Sequence, residues 1–203
     1  MIRWRRMFGA AMLLALLALT ACGAPAETPP PEEETPPAAG EEAPPAQEEE
    51  TAILGLWDQS ILTTDLEGNP VDLADFSAYE LVMLNVWGTW CPPCVSELPE
   101  LEEVSREYED RGVLIVGLMQ DSVRPDGSLD QALVDTAIEY LKGQGIEYLM
   151  LVPDEKLQAQ FIDSLQYFPT TFFLNSAGEI VLTEVGAKDK TGWSYVIDGL
   201  LED

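Results

Sequence analysis

The run WCPPC, Trp90 to Cys94, places two of the chain's three cysteines three residues apart with a proline pair between them. A thiol reacts as its thiolate, and the first turn of a helix lowers a thiol pKa through unpaired N–H groups and the positive end of its dipole. Cys91 stands where a strand pattern ends and a helical pattern begins. Cys94, three residues on, shares its face, close enough to displace whatever Cys91 binds covalently and to close a disulfide with it. Pro92 and Pro93 suit a first turn, whose N–H groups have no intrahelical acceptor, and they stiffen the loop between the sulfurs. Two other uses compete with redox chemistry. A fixed structural disulfide is disfavoured because so short a loop restrains little unfolded-chain entropy. A zinc site wants four Cys or His ligands, whereas the folded part offers two cysteines and the chain has no histidine. The same lack removes Cys-His and Ser-His nucleophilic machinery. The residues point to thiol–disulfide exchange, with no metal and no cofactor.

The elements that must hold this pair follow from periodicity. Glu80 to Trp87 (ELVMLNVW) is an apolar run that predicts a buried strand leading straight into WCPPC. Leu98, Leu101, Val104 and Tyr108 then recur at helical spacing. Upstream, Thr63 to Leu73 predicts a hairpin turning at Glu67-Gly68-Asn69-Pro70. Downstream come a strand at Val113 to Met119, a polar loop from Gln120 to Ser128, a helix through Leu133, Ala137, Ile138 and Leu141, and a strand at Glu147 to Val152. A helix through Leu157, Phe161 and Leu165 follows, then strands at Thr170 to Asn175 and Glu179 to Val185 around Ser176-Ala177-Gly178, and a last helix from about Trp193. The β-α-β-α-β order in the middle predicts an α/β sandwich on a mainly parallel open sheet, with its final two strands antiparallel.

The ends of the chain differ from this domain. Arg3, Arg5 and Arg6 precede an apolar run, Met7 to Ala21, that is too short to span a bilayer, as in a secretion signal. It closes on Leu19-Thr-Ala-Cys22, which resembles the bacterial lipobox and implies cleavage before Cys22 and lipidation of that residue; the alternative is an uncleaved anchor with an incidental cysteine. Acyl chains there would hold the protein to a membrane. Gly23 to about Ala52 is Pro, Glu, Ala, Thr and Gly with nothing large to bury, so it is expected to be a disordered tether or a partner-binding acidic tail. The expected organisation is a leader at 1–21, a tether at 22–52 and one folded domain at 53–203. From Thr51 onward 28 acidic residues face 7 basic ones, 7 − 28 = −21, a field that repels phosphate backbones and argues against nucleic acid.

Leu84 to Leu101 (LNVWGTWCPPCVSELPEL), with Tyr167 to Val181 (YFPTTFFLNSAGEIV) downstream, resembles the membrane-anchored, extracytoplasmic thioredoxin-like thiol–disulfide oxidoreductases, the TlpA/ResA-like group related to cytochrome c maturation reductases. The resemblance covers about Leu62 to Leu201. It implies a thioredoxin-like fold, a central mixed β-sheet flanked by helices, with an N-terminal β-hairpin and a central αβ insertion between Met119 and Val152. It makes Cys91 the nucleophile and Cys94 the resolving thiol. It implies a cis peptide bond before Pro169, exposing the backbone of Phe168 for pairing with a substrate segment, with Thr170 beside it and Trp90 over the Cys91 sulfur. An ordinary trans proline at a strand start is the alternative. Phe168 is bulkier than the position usually carries. Many thioredoxins place a buried Asp six residues before the first cysteine, where this chain has Asn85; the resembling group uses a Glu three residues after the second, which is Glu97, with Pro99 bending the helix behind it. Near apolar walls that carboxyl would have a raised pKa and could exchange a proton with Cys94. The alternative for Glu97 is a plain surface residue in an acidic helix, and Trp87 is expected in the core.

The implied function is a lipid-anchored, extracytoplasmic reductase whose partners are disulfide-bearing exported client proteins and a transmembrane thiol electron donor. An oxidase of the same fold and a redox-inert tethered binding module remain as alternatives. A peroxidase is disfavoured, because the threonine and arginine company of a peroxidatic cysteine is missing around Cys91.

Overall fold

The computed structural model describes residues 55–202, so the expected leader, Cys22 and the tether lie outside the described residues. A short helical turn at Leu56–Gln59 precedes β1 (Leu62–Asp65) and β2 (Pro70–Asp72), a hairpin, and a further turn at Leu73–Ala78. Then follow β3 (Leu81–Trp87), α1 (Pro92–Tyr108), β4 (Val113–Met119), α2 (Gln131–Gln144), β5 (Leu149–Val152), α3 (Glu155–Leu157), β6 (Thr170–Asn175), β7 (Ile180–Val185) and α4 (Lys190–Glu202). The strands form one seven-stranded sheet in the order β2-β1-β5-β4-β3-β6-β7.

Only β3–β4 and β4–β5 pair in parallel, each through a helical crossover; the other pairings are antiparallel. The sheet is therefore mixed, as the family resemblance implied, and not mainly parallel as the element order alone suggested. Apolar periodicity reports which residues are buried and is blind to strand direction, so nothing in Thr170 to Asn175 announces that β6 runs against β3.

Every residue of β3 is buried, because the strand is covered on both faces. Leu81, Met83 and Trp87 meet Leu98, Leu101 and Val104 of α1, Val134 and Ala137 of α2, and Trp193 and Ile197 of α4. Val82, Leu84 and Val86 meet Leu56, Trp57, Phe76, Leu157 and Phe161 on the opposite face. Alternation places Asn85 on the α1 face with Met83 and Trp87.

Two helices depart from expectation. The segment predicted through Leu165 is a single turn, α3, capped by Asp154 (Oδ1 to Leu157 N–H, 2.8 Å), that widens into a π-type turn at Gln158–Ile162 and stops there. The wider turn buries Phe161 and Ile162 together, although they are neighbours in sequence. Helix α4 starts at Lys190, three residues before Trp193, because Asp189 accepts the Gly192 N–H at 2.8 Å and so satisfies the first turn.

Candidate active site

Strand β3 delivers the chain to Gly88, whose carbonyl accepts the Cys91 N–H at 3.2 Å, and Cys91 becomes the N-cap of α1. Pro92 and Pro93 fill the first two helical positions, where no N–H is needed. Cys91 and Cys94 are joined as a disulfide with Cα atoms 5.3 Å apart, and the Cys91 Sγ accepts the Cys94 N–H at 3.3 Å. One N–H of the helix start is thus already aimed at the sulfur on which a thiolate would form. Cys94 is fully buried and Cys91 is 3 % exposed, so chemistry enters through Cys91, beside Trp90 at 60 % exposure.

The Phe168–Pro169 peptide bond is cis. Val86 pairs with Thr170, so the start of β6 lies against the end of β3, the end that carries the cysteines. The Trp90 ring meets the Phe168 ring edge-on at 5.5 Å, closing that side of the site. Phe168 is half-buried, and Thr170 is buried with its hydroxyl donating to the Tyr167 carbonyl at 2.8 Å.

Glu97 is 2 % exposed, unlike a surface glutamate. Its Oε1 accepts from the Trp193 indole Nε1 at 2.6 Å and the Lys188 backbone N–H at 3.3 Å, while Oε2 is buried without a partner. Burial pushes the carboxyl pKa up from 4.5 to about 7, against the lowering effects of the Lys188 N–H, the Trp193 indole, the Asn85 side chain and the Lys188 charge. The folded protein therefore binds a proton here that the unfolded chain releases. Glu97's contribution to stability is fully present below about pH 4.5 and is lost as pH rises through about 7.

Sequence reasoning missed two parts of this arrangement. Trp193 and Lys188 reach Glu97 from 96 and 91 residues away, a separation that no local pattern encodes. Asp121, just past β4, accepts from the Thr89 N–H at 3.0 Å and the Thr89 hydroxyl at 2.6 Å, tying down the loop before Cys91. Its only signal was an acidic residue at the end of the strand next to β3. Asn85, fully buried, donates to the Thr171 hydroxyl at 3.0 Å. Asp121→Ala leaves two Thr89 donors unpaired, so it is expected to lower stability by about 1–3 kcal/mol in chemical denaturation. It is also expected to lower the order parameters of Gly88 to Trp90, which NMR relaxation reads.

A redox-capable disulfide at a helix start, a cis-proline opposite it and a sheet of this topology define a thioredoxin-like thiol–disulfide oxidoreductase. Comparison with known proteins agrees: the Redoxin family profile matches residues 38–197, and the chain belongs to that family. Thiol-disulfide oxidoreductase ResA of Bacillus thuringiensis (strain Al Hakam) is 29% identical over 133 residues, 64% of this chain and 69% of that protein. ResA of Halalkalibacterium halodurans is 32% identical over 122 residues, 60% of this chain and 62% of that protein. Among solved structures, a thioredoxin-family thiol:disulfide interchange protein from Chlorobium tepidum TLS superposes with a TM-score of 0.58 at 25% identity, covering 70% of this chain and 93% of its own. A DsbF homologue from Corynebacterium diphtheriae does so at 0.55 and 28%, covering 68% and 83%.

Proposed function

We propose that this protein is an extracytoplasmic, lipid-anchored reductase of disulfides in exported clients. In this reading residues 1–21 are the leader, Cys22 carries the lipid, 22–52 form the tether and 53–203 the catalytic domain. The Cys91 thiolate attacks one sulfur of a client disulfide; that S–S bond breaks, a mixed disulfide forms, and the leaving client thiolate takes a proton. Cys94 then gives its proton to Glu97 and attacks the Cys91 sulfur. The Cys91–Cys94 disulfide closes, and the second client thiolate leaves and takes up the proton. Two electrons and two protons pass to the client, and a transmembrane dithiol donor returns them.

The observation that carries this reading is the pairing of the Cys91–Cys94 disulfide with a buried, proton-binding Glu97 one helical turn further along α1. Trp90, Phe168, Pro169 and Thr170 supply the client platform: an exposed ring above the cysteines and the start of β6, whose cis bond presents backbone for strand-like pairing. A groove of about 1180 Å³ runs from Trp90 past Asp121, Asp126, Asp154 and Asp163, so an extended client segment lying there would be neutral or basic.

Equilibration with glutathione mixtures tests the direction of transfer. The expected reduction potential is near that of thioredoxin, about −270 mV. A value more oxidising than about −180 mV would overturn the reductase reading in favour of an oxidase.

A further inference from the structure

We propose that Trp193 is a positioning residue for the proton exchanged between Glu97 and Cys94: by occupying Oε1 with its indole N–H, it leaves Oε2 as the oxygen that carries the proton. This rests on the reading of Glu97 as proton carrier given above.

The two oxygens of this carboxyl are chemically unlike. Oε1 accepts the Trp193 Nε1–H at 2.6 Å, shorter than the usual N–H···O range, and the Lys188 N–H at 3.3 Å. Oε2 is buried and has no donor. A proton placed on Oε1 would displace one of its two donors and bury that donor unpaired, whereas a proton on Oε2 displaces nothing.

Trp193 is held so that its N–H cannot swing away. It is fully buried, it packs on Phe173 at 6.1 Å, and the Lys188 ammonium sits 4.8 Å over its ring while pairing with Glu184 at 2.8 Å. The remaining groups around Glu97 come from β3 and from the approach to β5. Asn85 presents its amide, and the Tyr148 phenol is buried, unpartnered and raised in pKa by burial and by the charges of Glu97 and Glu102. Glu102 is engaged with the Glu147 N–H, the Tyr148 N–H and Arg106, and Glu100 with the Lys190 N–H. None of them reaches Oε2 in hydrogen-bond geometry; the Asn85 amide donates to the Thr171 hydroxyl and acts on the carboxyl as a nearby dipole that lowers its pKa. Helix α4 thereby lowers the proton affinity of a group on α1 whose affinity burial raises.

The step balances. The Cys94 S–H proton passes to Oε2, the sulfur electron pair forms the bond to the Cys91 sulfur, and the client sulfur leaves with the electrons of the broken bond and accepts that proton. The client disulfide is the oxidant.

Trp193→Phe keeps the buried ring and deletes the donor. The limb of the pH–rate profile of insulin disulfide reduction that belongs to Glu97 is expected to move up by about 1–2 pH units, the worth of one charge-assisted hydrogen bond. Trp57→Phe is the control, since that indole donates to the Asn175 carbonyl at 3.0 Å, away from Glu97; it is expected to leave the limb in place. Glu97→Gln is expected to abolish the limb. If Glu97→Gln abolishes it and Trp193→Phe does not move it, Trp193 is a packing residue only and this inference fails alone. If Glu97→Gln leaves the limb intact, the proton-carrier reading fails first. Should Trp193→Phe not fold, the parent protein still decides: the Trp193 indole N–H resonance must titrate with the Glu97 pKa, and a pH-independent resonance overturns the proposal.

Discussion

Cys91→Ser is expected to abolish dithiothreitol-driven insulin reduction, leaving only the rate of the reductant by itself. A serine hydroxyl is not appreciably ionised at neutral pH and cannot form the mixed disulfide, so neither the attack nor the electron transfer has a substitute. Cys94→Ser is expected to fail differently. The Cys91 sulfur still has the Cys94-position N–H and the helix start behind it, so attack proceeds. The resolving thiol is gone, however, and the mixed disulfide persists long enough to run as a covalent adduct on a non-reducing gel. Its clients can then be identified from living cells. A Cys91→Ser protein with parental activity would show that the disulfide is inert and return the chain to a tethered binding module.

The second large effect is structural. Gly178→Ala is expected to destabilise the domain by about 4 kcal/mol, roughly 10 °C in melting temperature. Gly178 turns the β6–β7 hairpin at φ +77°, in the left-handed region. A Cβ there would stand 2.6 Å from the Leu56 nitrogen and 2.8 Å from the Trp57 nitrogen. Both are backbone atoms, and they cannot retreat freely, because the Leu56 N–H donates to the Gly178 carbonyl at 3.1 Å. The substitution therefore strains the turn and pushes away the segment that buries Leu56 and Trp57. Thermal unfolding by circular dichroism measures it, and a melting temperature within a few degrees of the parent contradicts this account. Below the transition the activity per folded molecule is expected to be unchanged, since the turn lies at the end of β6 opposite Pro169.

Much of the site is legible in the residues themselves. The two sulfurs, the proline pair and the helix after them are local features, and the disulfide sits where α1 begins. The strands at Val113–Met119 and Thr170–Asn175 match their expected bounds residue for residue, because strands covered on both faces stay buried almost to their ends. The cis bond at Pro169 and the choice of Glu97 as a candidate came through the family resemblance, since a lone proline or glutamate carries no such message. What escaped was long-range: the antiparallel fit of β6 on β3, the early start of α4, and the partners of Glu97.

By itself, the sequence determined that this chain carries a thiol pair at a helix start, without histidine, within one α/β domain. Those are properties of residue type and short spacing. The tertiary structure alone decided the character of Glu97. A carboxyl's proton affinity depends on how much water it loses and which donors replace that water. Here the loss comes from packing α1 on the sheet, and the donors come from the far end of the chain. Burial and donor placement arise only when α1 and α4 meet, which is why no reading of Glu97's neighbours in sequence could supply them.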